Sequence, residues 1–195
     1  MKVTDLKEQK NSTDRYSVYV DGKYSFSITT DDLLSAKLRV GYELSEAQVD
    51  AFKQQSSDSL LMARAYEKCM RRPHSEREIR DYLRTKKAGD ELTEEIIAKC
   101  YKHNLLNDEY FAERWVEHRR RANKSNRFIK SELFKKGVDQ SIIDTVLDEP
   151  DDSQLTQQIE KKRSKYETEE KLIAYLQRQG FSYGDIKSAL SREED

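Results

Sequence analysis

The segment that decides the fold is Phe128–Leu147, "FIKSELFKKGVDQSIIDTVL". Its apolar residues recur every three or four positions, as on a helix with one buried face, and Gly137 stands where such a helix would end in a left-handed conformation. The pattern returns in "KLIAYLQRQGFSYGDIKSAL" (171–190), where Gly180 matches Gly137. It also occurs in "EIRDYLRTKKAG" (78–89) and the residues after it, with a three-residue insertion near Ala88. The matched apolar positions are Ile79, Ile129 and Leu172; Leu83, Leu133 and Leu176; Ile96, Ile143 and Ile186; and Cys100, Leu147 and Leu190.

A further helix is predicted before each of these segments, in "DSLLMARAYEKCMRR", "DEYFAERWVEHRRRANK" and "SQLTQQIEKKRSKY". The matched leucines recur at intervals of 50 and 43 residues, which is typical of helical repeat proteins. The predicted fold is therefore mainly α, with tandem three-helix repeats that form an elongated, curved molecule. The repeats are expected at residues 58–104, 105–149 and 150–195, with a hinge at Pro150.

Residues 1–57 follow a different pattern and are expected to form a small N-terminal domain. In "DRYSVYVDGKYSFSI" apolar and polar residues alternate on both sides of Asp21-Gly22, which indicates a β-hairpin with a tight turn. Two short helices, in "TTDDLLSAKL" and "LSEAQVDAF", are predicted to cover the hairpin. The spacing of Ser45 and Gln48 is that of a capping box at the start of the second helix.

Composition excludes several classes of protein. Hydrophobic residues make up 35% and charged residues 37% of the chain, which favours a molecule with much surface over one large core. No apolar run of about 18 residues and no secretory signal is found, so no membrane contact and a cytoplasmic location are expected. Cys69 and Cys100 lie at apolar helical positions without metal-ligand spacing and are predicted to be buried free thiols. The three histidines are far apart and no phosphate-binding loop is present, so neither an enzyme nor a metal or cofactor is predicted.

The charge is unevenly distributed along the chain. Residues 114–136 contain nine Lys or Arg and two Glu, a balance of +7, whereas residues 137–158 contain six acids and no base. Glu117 can reach Arg120 and Arg121 along the helix, but the other cations have too few acids nearby in sequence. Such a charge concentration favours a polyanion as partner. The predicted basic surface consists of Arg119, Arg120, Arg121, Lys124, Arg127, Lys130, Lys135 and Lys136, with Arg71, Arg72, Arg77, Arg80 and Arg84 of the first repeat as its extension.

Trp115 is the one tryptophan of the chain and lies inside this basic stretch. Phe111, Trp115 and His118 are spaced i, i+4 and i+7, so they share one stripe of a helix. We therefore expect Trp115 to belong to the core rather than to serve as a stacking platform for bases.

Three segments carry a resemblance to a known family: "RPHSEREIRDYL" (72–83), "LLNDEYFAERW" (105–115) and "IKSELFKKGV" (129–138). In their order and spacing they resemble the RecX family, bacterial regulators of the RecA recombinase. The hairpin segment is similar to that of low-GC Gram-positive members. Where members usually have Gly-Pro before the second helix of the middle repeat, this chain has Ser125-Asn126, which suits a helix N-cap.

The resemblance implies a non-enzymatic monomer that lies along the RecA filament on single-stranded DNA, with double-stranded DNA as a further option. It would restrain the recombinase, ATPase and co-protease activities of RecA, and so act in recombination, DNA repair and the SOS response. The basic surface would make the contact with filament or DNA. Two other functions stay open on the residues alone. One is a stand-alone nucleic-acid-binding protein, whose affinity would fall steeply with salt. The other is a protein-binding scaffold that uses apolar repeat faces and is insensitive to salt.

Overall fold

The structure is a computed structural model that describes residues 1–10, 12–148 and 152–192. The chain divides into two compact units, Met1–Glu67 and Lys68–Asp195. The hinge predicted at Pro150 lies outside the described residues.

The first unit contains a three-stranded antiparallel sheet in the order β1-β2-β3. The predicted hairpin is confirmed: β2 and β3 pair up to Val20↔Lys23, and Asp21 and Gly22 turn between them with φ of 48° and 81°. Two consecutive positive φ angles match the right-handed twist of the strands. The strands are β1 (Val3–Gln9), β2 (Ser12–Val20) and β3 (Lys23–Thr29).

Strand β1 was not predicted from the sequence. Its pairing with β2 shifts register between Val3 and Asp5, so the buried Val3 and the half-buried Leu6 are three residues apart. An extra residue in a strand destroys the alternation of period two on which recognition depends. The irregular pairing therefore hid this strand.

Two helices follow the sheet, α1 (Thr30–Ser35) and α2 (Glu46–Arg71). The predicted capping box is confirmed, because the Ser45 N–H donates to Gln48 Oε1 (2.8 Å) and the Gln48 N–H donates to Ser45 Oγ (3.2 Å). The helices predicted separately in "LSEAQVDAF" and "DSLLMARAYEKCMRR" are one continuous helix of 26 residues, so that prediction was wrong. The linking residues contain no Gly or Pro, and the buried Ser56 hydroxyl lies 3.0 Å from that of Ser27 on β3. A polar helix segment is thus held on the sheet by a hydrogen bond rather than by the apolar contacts that a sequence pattern reveals.

The second unit confirms tandem three-helix repeats. The first repeat combines the last part of α2 with α3 and α4, the second contains α5, α6 and α7, and the third contains α8, α9 and α10. Their bounds are α3 (Glu76–Thr85), α4 (Asp90–Lys102), α5 (Asp108–Arg121), α6 (Asn126–Lys135), α7 (Gln140–Val146), α8 (Asp152–Arg163), α9 (Glu169–Gln179) and α10 (Tyr183–Arg192). The domain boundaries given above stay a prediction.

The matched apolar positions form the cores of the repeats. Leu83, Leu133 and Leu176 are completely buried, as are the aligned isoleucines of α4, α7 and α10. Of the matched set only Leu147 is half-buried. The two cysteines are buried free thiols, as predicted.

Successive repeats meet through the ends of α3, α6 and α9. Ser75 caps α3 by accepting from the Glu78 N–H (3.3 Å), and its hydroxyl donates to the Lys136 carbonyl at the end of α6 (2.8 Å). Ser125 caps α6 by accepting from the Phe128 N–H (3.2 Å), and its own N–H donates to the Gln179 carbonyl at the end of α9 (3.0 Å). In the first two repeats the start of the second helix therefore lies against the end of the next repeat's second helix.

Candidate anion-binding surface

Helix α6 has one buried face and one basic face. Ile129 and Leu133 point into the core, whereas Arg127, Lys130 and Phe134 are exposed. Because the exposed residues are spaced i, i+3 and i+7, they form a single stripe. No acidic residue lies in the first turn of this helix. The sequence thus places positive charge and one aromatic ring on the same exposed face.

The sequence predicted that several cations of the basic surface have too few acids nearby. For three of these cations the prediction was wrong, because the structure gives each a carboxylate partner. Arg119 donates two hydrogen bonds to Glu132 (2.6 and 2.7 Å), Lys130 contacts Asp144 (2.8 Å), and Lys136 contacts Glu78 (2.7 Å). Each partner lies on another helix, 13 to 58 residues away in sequence. Counting neighbours along the chain could not find them.

Trp115 is packed between two of these cations. The Arg119 guanidinium lies 4.7 Å and the Lys136 ammonium 4.1 Å from the centre of the indole ring, and the indole N–H donates to Glu132 (3.0 Å). Contacts of this kind hold the ring by cation–π attraction. Trp115 is half-buried and belongs to the packed interior, as expected, whereas His118 is exposed, contrary to the predicted stripe.

Glu78 connects the first repeat to the second. Burial by itself would raise the pKa of this carboxyl, but the hydrogen bond and charge of Lys136, together with the charge of Arg72 (3.2 Å), outweigh burial and hold the pKa below its usual value. Lys136 and Arg72 are therefore both paired with the carboxyl of Glu78.

Most of the predicted arginines of the first repeat also have partners in the structure. Arg80 pairs with both Glu76 (2.6 Å) and Glu94, and these hydrogen bonds raise its pKa further above the usual range. Arg84 pairs with Asp81 (2.7 Å), and Arg121 pairs with Glu117 as predicted. Arg71 and Arg120 likewise have partners.

Four of the predicted cations have no carboxylate within 4.0 Å in the part of the chain that the structure describes. We call Arg77, Lys124, Arg127 and Lys135 the uncompensated cations. Arg77 lies against Gly137 at the end of α6, Lys135 is in the last turn of α6, Arg127 is in its first turn, and Lys124 precedes its N-cap with the ammonium 4.5 Å from the Phe128 ring. The structure thus brings the available positive charge together along α6, not over the whole predicted surface.

A polar cleft of about 420 Å³ lies at one end of this helix, between α6 and the turn from α9 to α10. Arg127, Ser131, Gln177 and Tyr183 are among its lining residues. Phe134 is 68% exposed and Tyr183 is 55% exposed, and sequence reasoning missed both. A signal existed, because the positions aligned with Phe134 are Arg84 and Gln177, two polar residues typical of a solvent-facing position.

The described residues contain neither a metal-binding cluster nor a membrane-spanning helix. Among residues 1–10, 12–148 and 152–192, no group of three or more His, Cys, Asp or Glu side chains could hold a metal ion. Within the same ranges, every helix is too short or too polar to cross a membrane. The arrangement as described can attract anions and stack planar groups.

Comparison with known proteins agrees with this architecture. Residues 1–45 match the regulatory protein RecX N-terminal domain, residues 62–100 match the first three-helix domain of RecX, and residues 107–147 match its second three-helix domain. The regulatory protein RecX of Bacillus pumilus is 33% identical over 99% of this chain and 78% of its own length. That of Listeria monocytogenes serovar 1/2a is 32% identical over 97% of this chain and 74% of its own length.

Solved structures give the same assignment. A crystal structure of regulatory protein RecX superimposes with a TM-score of 0.71 and 25% identity, covering 96% of this chain and 98% of the other. RecX from Lactobacillus salivarius, at 23% identity and a TM-score of 0.52, covers 69% of this chain and 97% of its own and supports the fold alone. The chain therefore belongs to the RecX family of regulatory proteins.

Proposed function

We propose that this protein binds the RecA filament on single-stranded DNA and mainly inhibits its recombinase, ATPase and co-protease activities. It does so as a cytoplasmic monomer without catalysis of its own. Membership of a family of regulatory proteins supports this proposal. The observation that carries it is the set of uncompensated cations along α6.

The electrostatic argument is direct. Arg77, Lys124, Arg127 and Lys135 repel one another in the free protein, and among the described residues no carboxylate within 4.0 Å offsets their charge. DNA phosphates in the filament supply that negative charge, and binding releases counterions from the DNA. Tandem repeats add further contacts in one molecule, so that individually weak contacts sum to useful affinity.

The test is the single-strand-dependent ATPase rate of RecA filaments, titrated with this protein from far below to equal stoichiometry. The wild-type protein should suppress the rate at substoichiometric amounts. The triple variant Lys124→Glu, Arg127→Glu and Lys135→Glu should require about tenfold more protein for the same suppression. Its stability should fall by no more than about 1 kcal/mol, because Arg127 and Lys135 are exposed and the half-buried Lys124 loses only its cation–π contact with Phe128.

A matched control is the triple variant Lys10→Glu, Lys23→Glu and Arg39→Glu. It makes the same change in net charge at exposed positions of the first unit. It should inhibit like the wild type. Equal inhibition by all three proteins would overturn the assignment of α6, and no inhibition by wild type would overturn the function itself. Binding to free labelled DNA in the same salt series separates a filament regulator from a stand-alone nucleic-acid binder, which would need no RecA.

A further inference from the structure

We propose that the cleft between α6 and the α9–α10 turn holds unpaired bases of single-stranded DNA, with Phe134 and Tyr183 as stacking rings and Arg127 as phosphate contact. The inference rests on the proposed function and adds to it a contact with bases, which distinguishes single-stranded from double-stranded DNA.

The cleft has the size and polarity for a nucleotide. Its volume of about 420 Å³ lies within the range of small-ligand sites. Arg127 lines it and lacks a carboxylate partner among the described residues, so its guanidinium is available for a phosphate. Ser131 and Gln177 add polar groups that can hydrogen-bond to base edges.

One exposed ring lines this cleft, and the other lies beyond its edge on α6. Tyr183 is part of its lining, and Phe134 follows Ser131 by three residues on the same face of α6. Phe134 lies about 10 Å along the helix from Arg127. Within the described residues, neither ring stacks on another ring or lies under a cation, in contrast to Trp115. The exposed parts of both rings are therefore accessible to a planar partner.

The character of the surface favours bases over an apolar protein segment. Phe134 and Tyr183 are separated by Ser131 and Gln177 and bordered by cations, so they do not form a continuous apolar patch. Aromatic rings interspersed with positive charge are the usual platform for single-stranded nucleic acid, because each base has a flat face and each link a phosphate. A duplex keeps its bases stacked inside and offers no such face.

The junction between the first and second repeats lacks a ring at the position of Tyr183. Phe134 is aligned with Gln177 of the cleft lining, so its ring lies on the stretch of α6 between the two junctions, and the residue of the first junction aligned with Tyr183 is Gln140. Arg77 occupies the position aligned with Arg127, so that junction retains the cation. A cleft with a ring in its lining is thus proposed for the junction between the second and third repeats, where Tyr183 stands, and the first junction contributes the charge of Arg77.

The experiment compares binding of two fluorescent oligomers of equal length, one of deoxythymidine and one of abasic deoxyribose phosphate, by anisotropy at several salt concentrations. The wild-type protein should bind the thymidine oligomer about tenfold more tightly than the abasic one. The double variant Phe134→Leu and Tyr183→Leu should lose this preference. It should keep the wild-type affinity for the abasic oligomer and the same salt dependence, because it changes no charge.

The control is the double variant Tyr24→Leu and Tyr110→Leu, which removes two rings of similar exposure, 58% and 51%, away from the cleft. It should retain the full preference. Retention of the preference by the Phe134/Tyr183 variant, or its absence in wild type, would overturn the inference. The inference would also be overturned if the Phe134/Tyr183 variant lost RecA inhibition but kept its preference for bases, because the rings would then contact protein. If base preference is absent while charge reversal on α6 still abolishes inhibition, the proposed function stands without this inference.

Discussion

At Gly137 and Gly180 the backbone adopts φ angles of 76° and 104°, and each glycine touches the preceding repeat. A Cβ on Gly137 would lie 2.8 Å from Arg77 Cβ, and one on Gly180 would lie 2.6 Å from Phe128 Cβ. The corresponding residue of the first repeat is Lys87, also left-handed at 61°. Because no repeat precedes the first one, the left-handed position at the end of α3 can carry a side chain.

The substitution Gly137→Ala should lower the free energy of unfolding by about 2–4 kcal/mol. The left-handed conformation costs a residue with a Cβ about 1–2 kcal/mol, and overpacking against Arg77 adds about 1–2 kcal/mol. Denaturant unfolding followed by Trp115 fluorescence measures the change. Gly89→Ala is the control, since Gly89 has φ of −69° and nothing within 4 Å of the added methyl. Equal stability of the two variants would contradict the close approach of the repeats.

At the scale of elements, three equivalent N-caps differ in what else they do. Ser75, Ser125 and Thr168 each accept a hydrogen bond from the N–H three residues later, at the start of α3, α6 and α9. Ser75 and Ser125 are buried and also bond to the next repeat, whereas the Thr168 bond is exposed. Capping in the first two repeats is therefore coupled to the contact between repeats.

The substitution Ser75→Ala should cost about 2–3 kcal/mol of stability. It removes the cap of α3, about 1 kcal/mol, and leaves the partly buried carbonyl of Lys136 without this donor, which adds about 1–2 kcal/mol. Thr168→Ala should cost only about 1 kcal/mol, because it removes a cap alone. Urea denaturation of both variants gives the comparison, and a larger loss for Thr168→Ala would refute the double role of Ser75.

At the scale of the whole molecule, charge is divided between internal networks and a free surface. Arg119, Lys136 and Glu132 contact Trp115, and the pair of Lys136 with Glu78 joins the second repeat to the first. Acids and bases distant in sequence pair with one another there, and the uncompensated cations lie on α6 or next to its ends. The network stabilises the fold, and the remaining charge is the part that we propose for binding.

Stability of the first junction should depend on acid pH through Glu78. Its pKa is lower in the folded state than the ordinary value of 4.5, so its contribution is complete above that value and is lost as pH falls through the folded pKa. The wild type should exceed Glu78→Gln in stability at pH 7, and the difference should shrink below about pH 4.5. Trp115 fluorescence during urea unfolding at several pH values reports this.

The control for that series is Glu95→Gln, which breaks the exposed pair of Glu95 with Lys99. Exposed pairs contribute little, so this variant should follow the wild type at all pH values. A difference between wild type and Glu78→Gln that stays constant from pH 7 to pH 3 would rule out the ion network as its cause.

The sequence by itself determined the features that depend on neighbours along the chain. The apolar period of Ile129 and Leu133, the left-handed Gly137 and the turn at Asp21-Gly22 are local, so they could be predicted together with the repeats, the hairpin and the family resemblance. Local patterns failed where structure departs from regular periods, as at the bulge after Val3 and the polar middle of α2.

Only the tertiary structure decided which parts of the basic stretch are available to a partner. Lys136 and Glu78 are 58 residues apart in sequence and 2.7 Å apart in space, so no count of charges along the chain could pair them. The exposure of Phe134 and the cleft beside Tyr183 likewise arise from the packing of the second and third repeats. The physical reason is that Coulomb attraction and burial depend on distance in space, which the fold sets.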